Sequence, residues 1–298
     1  MKICIITDDN AGFTQDEVKK LGIGIVPMPV IINGEIYFEN KNIDQEQFYL
    51  KQNGGSDIIT SQPSPGSILE LWEEKLKDFE QIVHIPMSSG LSEECNTAKM
   101  LAKDYKGKVF VVDNHRISVT LKDSVYDAIN LVKKGYSGEE IKKILEESAF
   151  DSSIYIAVDT LKYLKKGGRI TPAAALFGST LHIKPILSIF GHKLDSYKKA
   201  VGMKKAKQIV IDAIINDVNT KFSDSDKNKE LSYGVAFTNN YDEAVEFKKE
   251  FAKQLGINED TIIMNPLSLS VATHIGEGAF AITCTKKLNK WKIILLTL

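Results

Sequence analysis

Three short segments concentrate hydroxyls beside helix-starting signals, and they are the first candidates for chemistry. They are Thr7-Asp8-Asp9-Asn10, Thr60-Ser61-Gln62-Pro63-Ser64 and Ser88-Ser89-Gly90-Leu91-Ser92. The second and third each precede a predicted helix start. Hydroxyls and free backbone N–H groups at such a start can hold an anion. A set of neutral donors can grip a carboxylate through charge-assisted hydrogen bonds, without a salt bridge. The plainer reading is capping, since Ser and Thr occupy helix starts for that reason alone. Spacing by itself does not choose between the two.

Two further segments carry ionisable groups. His274-Ile275-Gly276-Glu277-Gly278 reads as a tight glycine turn bearing a histidine, with glycines that allow close backbone approach. That histidine is either structural or part of a site. Lys165-Lys166-Gly167-Gly168-Arg169 reads as a basic turn. It is either a surface for an anionic partner or a solvated hairpin tip.

Recognised catalytic patterns are missing. Gly90-Leu91-Ser92-Glu93-Glu94 approaches a nucleophile elbow but lacks its final glycine. There is no phosphate-binding GxxxxGK[ST], no GxGxxG and no HExxH. His84, His115, His182, His192 and His274 show no metal-ligand spacing, so no metal site is expected. Cys4, Cys95 and Cys284 are scattered and read as small buried hydrophobes. One alternative is an enzyme of small anionic or acyl substrates, with Ser92 at a strand-to-helix turn and His274 as its base.

The elements that must position these segments follow from the apolar pattern. Residues 2–7 predict a buried strand, and 21–32 a strand kinked at Pro27 and Pro29 that ends at the Asn33-Gly34 turn. Ser64 predicts an N-cap with Pro65 in the first position of the helix. Its apolar face is Ile68, Leu69, Trp72, Leu76 and Phe79. Strands at 81–85 and 109–112 flank a helix that turns Cys95, Ala98 and Leu101 inward. Ser137 and Glu140 form a capping box.

Beyond Asp151, strands are expected at 153–158, 232–237, 260–264 and 279–283. Gly167-Gly168 predicts a turn, and Thr171 caps a short Ala-rich helix. One long helix runs through Met203, Ala206, Val210 and Ile214, and Asn240 with Glu243 opens another. Strands alternating with helices imply parallel pairing and right-handed crossovers. The expected fold class is α/β, in two domains. Residues 1–150 form an N-terminal parallel-sheet, three-layer domain and residues 151–288 a C-terminal mixed-sheet domain. Residues 289–298 are a tail, read as a terminal strand or an exposed apolar end.

Length and charge agree with this. A chain of 298 residues suits two cores. Its formal net charge of -1 argues against nucleic acid as a partner. No stretch is long and apolar enough for a signal peptide or a transmembrane span, so the expected location is the cytoplasm.

Taken together, the motifs resemble the DegV family of bacterial fatty-acid-binding proteins, which work with a fatty acid kinase. The resemblance rests on Thr7-Asp8, Thr60-Ser61-Gln62-Pro63-Ser64-Pro65, Ser88-Ser89-Gly90-Leu91-Ser92 and Val112-Asp113 with Ser118. It extends through Thr160 to Ile170, Lys184-Pro185-Ile186-Leu187 and His274-Ile275-Gly276. It implies two α/β domains enclosing a lipid tunnel between or beside them. It implies a carrier of a long-chain fatty acid, not an enzyme, with the fatty acid as ligand and no cofactor. The carboxylate would be held by Thr60, Ser61 and Ser92, with His274 near the head group. Ser89, Gly90 and Gly276 would support the site loops. Arg169 would belong to the surface where a fatty acid kinase docks, and transient membrane contact is compatible with the role.

The chain departs from the family pattern at several places. Asp9 stands where a Ser is usual, Glu93-Glu94-Cys95 where Gly-Thr-Tyr is usual, and Glu277 where a Pro is usual. Ala200-Val201-Gly202-Met203 lacks the arginines common there, which bears on the kinase partnership. A third reading follows from these changes: an interaction protein that no longer binds lipid.

Overall fold

The computed structural model describes residues 2–176 and 182–288. The tail expected at 289–298 lies outside the described residues. The first half contributes strands β1 (Ile3–Asp8), β2 (Gly24–Val26), β3 (Pro29–Ile32), β4 (Glu35–Phe38), β5 (Ile58–Thr60), β6 (Gln81–Ile85) and β7 (Val109–Val111). Four of them form a wholly parallel sheet in the order β2-β1-β6-β7. Every residue of β1 is buried, as expected for a strand covered on both faces.

A second, antiparallel sheet has the order β4-β3-β5, and it corrects the expectation of one kinked strand over 21–32. Pro27 and Pro29 have no N–H to donate to a ladder. The chain therefore leaves the parallel sheet after Val26 and starts a new strand at Pro29. Asn33 (φ 51°) and Gly34 (φ 88°) then make the hairpin turn into β4.

The second half adds β8 (Ser152–Ala157), β9 (Ile183–Ile189), β10 (Asp195–Val201), β11 (Leu231–Phe237), β12 (Ile262–Pro266) and β13 (Phe280–Lys286). They form one mixed sheet in the order β10-β9-β8-β13-β11-β12. Only β11 and β12 run parallel. Helices Met203–Asn219 and Tyr241–Leu255 cover one face of it.

The other face meets the helix Ser118–Lys133, which also packs on β1 and β6. This helix is shared by both halves, so even its polar residues are enclosed. Buried Lys122 reaches Glu17 at 2.9 Å, and buried Asp123 accepts a hydrogen bond from Ser232 at 2.9 Å. The expected caps are in place: Ser64 and Thr171 accept from the backbone of their helices, and Ser137 with Glu140 completes its capping box.

Two local expectations change. Gly167-Gly168 is the end of a helix, Lys162–Gly167, closed by Gly168 in the left-handed conformation. The basic run is therefore a helix C-terminus, where lysines suit the dipole. His274 sits in the last turn of a helix, Leu269–Ile275, and the glycine turn follows it.

The seam between the halves is tight near the Ser88–Ser92 loop. Ser88 Oγ donates to the carbonyl of Gly191 at 2.6 Å. A Cβ on Gly90 would lie 2.6 Å from His192 Cα and 2.8 Å from the Gly191 oxygen. Only glycine permits that approach.

Candidate functional site

A cavity of about 340 Å³ lies against the six-stranded sheet, where it faces the first half of the chain. Ile154, Ile156, Ile189 and Ala281 form its wall on the six-stranded sheet, and Met28, Met87 and Leu91 its wall on the first half. Val271 and Ile275 contribute from the helix that carries His274. Such a volume, mostly apolar with a few convergent polar groups, is the form of a small-molecule site.

The polar groups are those singled out in the sequence. Thr60, Ser61, Ser92 and His274 all line this one cavity, although they come from β5, two loops and a helix far apart in the chain. Thr60 ends its strand, and Ser61 follows where its N–H reaches the Pro29 carbonyl at 3.4 Å. Thr60 Oγ1 lies 2.8 Å from His274 Nε2. Burial holds the His274 imidazolium down to about 4, and the neighbouring Arg169 charge adds to it. The ring is therefore neutral at pH 7, with one ring nitrogen a donor and the other an acceptor.

Ser92 Oγ accepts from the Glu94 N–H at 3.2 Å, and the Ser92 N–H donates to the Ser88 carbonyl. This local turn holds the hydroxyl at the cavity edge. Ser89 and Gly90 are not among the lining residues; the Ser89 N–H donates to Asp113, and Gly90 sets the seam. Gly276 also works from behind: a Cβ there would lie 2.5 Å from the Tyr163 ring. Arg169 is half-buried and lines the cavity, close enough to His274 for its charge to be felt there.

Thr7-Asp8-Asp9-Asn10 does not line the cavity; it supports the residues that do. Asp8 accepts the N–H groups of Asn10 and Met87 at 2.8 and 2.6 Å, which fixes the approach to Ser88. Asn10 Oδ1 accepts from Ser268 and Ser270 at 2.6 and 2.7 Å. Those two serines open the helix that carries His274, so β1 sets that helix in place. Thr7 Oγ1 donates to the Ile85 carbonyl at 2.8 Å and ties β1 to β6.

Sequence reasoning missed one residue of direct consequence. A Cβ on Gly167 would stand 2.1 Å from His274 Nδ1 and 2.8 Å from its Cε1. The imidazole rests on bare backbone there. No spacing rule links positions so distant in the chain.

The family model described as "Uncharacterised protein, DegV family" matches residues 2–287. The chain belongs to the DegV family. A DegV domain-containing protein of Staphylococcus aureus is 29% identical over 96% of this chain and 99% of its own. One from Streptococcus pneumoniae is 31% identical over 94% and 97%. Among solved structures, a DegV family protein from Thermus thermophilus, described by its fatty acid binding, superposes with TM-score 0.86. It is 27% identical and covers 96% of this chain and 100% of its own. DegV of Bacillus subtilis, described as a fatty acid binding protein, gives TM-score 0.82 at 27% identity over 96% and 100%.

Against the DegV pattern, the acidic departures have defined places. Glu277 does not line the cavity; one of its oxygens is held by Asn53 at 2.7 Å and the other by Asn239. Asp9 accepts the Met28 N–H at 2.8 Å and fixes the chain between β2 and β3. Glu93 lines the cavity and is held by Asn96 at 2.9 Å. Glu94 turns inward, fully buried, against Asp8 and His84. Burial raises Asp8 and Glu94 each to about 8, and their proximity adds to the rise in Asp8. Burial lowers His84 to about 4. Burial thus favours the uncharged form of all three groups.

Proposed function

We propose that this chain is a non-catalytic carrier of a long-chain fatty acid in the cytoplasm, which presents the carboxylate to a fatty acid kinase. The observation that carries the reading is the cavity itself: apolar along its walls, with Thr60, Ser61, Ser92 and His274 all on its lining and Thr60 in contact with His274. Each buried methylene contributes about 0.8 kcal/mol. A long acyl chain thus supplies on the order of 10 kcal/mol before the costs of association. The head group then needs orientation more than attraction.

The head-group chemistry follows from the hydrogen-bond roles. In the tautomer with the proton on Nε2, the ring donates to Thr60 Oγ1 and leaves the Thr60 hydroxyl to donate to a carboxylate oxygen. Ser61 and Ser92 supply further hydroxyls, and Arg169 supplies a positive charge next to the site. Bonds to an ionised acceptor are the stronger kind. The same 2.8 Å contact favours a carrier over a serine hydrolase. His274 Nε2 is engaged by Thr60, and the contact recorded for Ser92 Oγ is a backbone N–H, not an imidazole.

The partner would approach on the side of Arg169, where Lys162, Lys165 and Lys166 of the preceding helix are exposed. They supply positive charge without the arginines usual near residue 200. The reading is tested by titrating delipidated protein with hexadecanoic and octadecenoic acids. Thr60→Ala combined with Ser92→Ala is expected to weaken binding at least tenfold and leave the melting temperature within a few degrees. Undiminished affinity in that double variant would remove the head-group assignment.

A further inference from the structure

The cavity has a second polar place, away from the head group. Its sheet wall is built in cross-strand rows, since paired residues stand side by side. One row is Ala236, Ala281, Ile156 and Leu187. The next row along β13 is Gly234, Thr283, Ile154 and Ile189. β13 runs away from the turn that follows His274, so Thr283 stands roughly 7 Å further from that turn than Ala281.

An alkyl chain asks for apolar neighbours here, and Thr283 is not one. It is 1% exposed and lines the cavity, and its Oγ1 has no hydrogen-bond partner among the described residues. An orphaned buried hydroxyl is costly and calls for a reason. Rotation of χ1 by about 120° carries the hydroxyl to a second staggered position, so the group can be turned toward a ligand.

Ser118 lines the same cavity at 8% exposure, as the first residue of the long helix Ser118–Lys133. It holds φ 56°, in the left-handed region that a serine rarely adopts. This helix start is seated on the Thr283 row. A Cβ on Gly234 would come within 2.4 Å of Val119 Cγ1 and 2.7 Å of Thr283 Oγ1. The bare glycine lets the helix start and the threonine occupy one spot.

We propose that Thr283, with Ser118, is a polar subsite for an oxygen function carried on the acyl chain, and that the preferred ligands are hydroxy or oxo fatty acids. This rests on the acyl-carrier reading and names its substrate class. A chain hydroxyl is both donor and acceptor, as are the two side-chain hydroxyls. A plain methylene at the same place leaves the Thr283 oxygen without a partner.

The test is calorimetric titration of the delipidated full chain with octadecanoic acid and with monohydroxy octadecanoic acids of different hydroxyl position. Wild type is expected to bind one positional isomer about three- to tenfold tighter than the plain acid. Thr283→Val should reverse that order, tightening the plain acid and weakening the hydroxy acid. Thr283→Ser, which keeps the hydroxyl, should retain the wild-type order. The ligand-free melting temperature of Thr283→Val should equal or exceed that of wild type, because an unpaired hydroxyl has gone. Tightest binding of the plain acid to wild type, or a hydroxyl preference that survives Thr283→Val, would overturn the subsite. Failure of every acid to bind, the plain one included, would overturn the carrier reading and the subsite with it.

Discussion

Replacing Gly167 with alanine should damage the head-group site from behind while leaving the fold intact. Gly167 ends a helix, and by propensity alone alanine is favoured there by about 1 kcal/mol. Its Cβ, however, would sit 2.1 Å from His274 Nδ1. One of the two must move, and the imidazole at a half-buried helix end is the freer. Overpacking costs about 1–3 kcal/mol, so the net change in stability should stay within about 2 kcal/mol. Displacing the ring breaks its 2.8 Å contact with Thr60. Hydrogen bonds to charged groups contribute about 1.5–3 kcal/mol, so fatty acid affinity should fall about ten- to hundredfold. The control is Gly168→Ala. Gly168 has φ 68° and open space where its Cβ would stand. That variant should lose about 1 kcal/mol of stability through backbone strain and keep its affinity. Isothermal titration with melting curves reads both effects. Wild-type affinity in Gly167→Ala would refute the argument that bare backbone positions the imidazole.

Glu94→Gln should stabilise the protein increasingly as pH rises. Burial lifts the Glu94 carboxyl from 4.5 to about 8 in the folded state. Its contribution is therefore fully present below about pH 4 and lost as pH climbs through 8. The gap between variant and wild type should widen by up to about 1.4 kcal/mol per pH unit from pH 5 to 8, as urea denaturation at several pH values will show; a flat difference would contradict the buried-acid assignment. Gly90→Ala should destabilise by roughly 1–3 kcal/mol or more, because its Cβ would strike the His192 and Gly191 backbone, which cannot rotate away. Thermal melting checks this, and an unchanged midpoint would mean the seam is looser than described.

Legibility from sequence followed length and chemistry. The Ser64 cap, the Ser137 capping box and the apolar strands β1, β6, β8, β11 and β13 could be read because each carries its own local signal. The antiparallel sheet was read only in part, since β4 and β5 have four and three residues and alternate too briefly to show a period. The β9–β10 hairpin was hidden because β10 presents Lys198 and Lys199 outward and lacks an apolar stripe. The histidine turn was misjudged because the glycines of 276 and 278 outweigh the short helix before them. At the site, the hydroxyl segments could be named, but their convergence with His274 is a property of the fold. Glu94 stands two residues from Ser92 in the chain, yet the fold turns it inward, against Asp8 and His84.

The most direct test is to purify the protein without detergent, measure its intact mass under native conditions, and analyse the organic extract by mass spectrometry. The account predicts one fatty acid per chain in both experiments. An extract with no fatty acid, together with no uptake of added acids across a range of chain lengths, would contradict it.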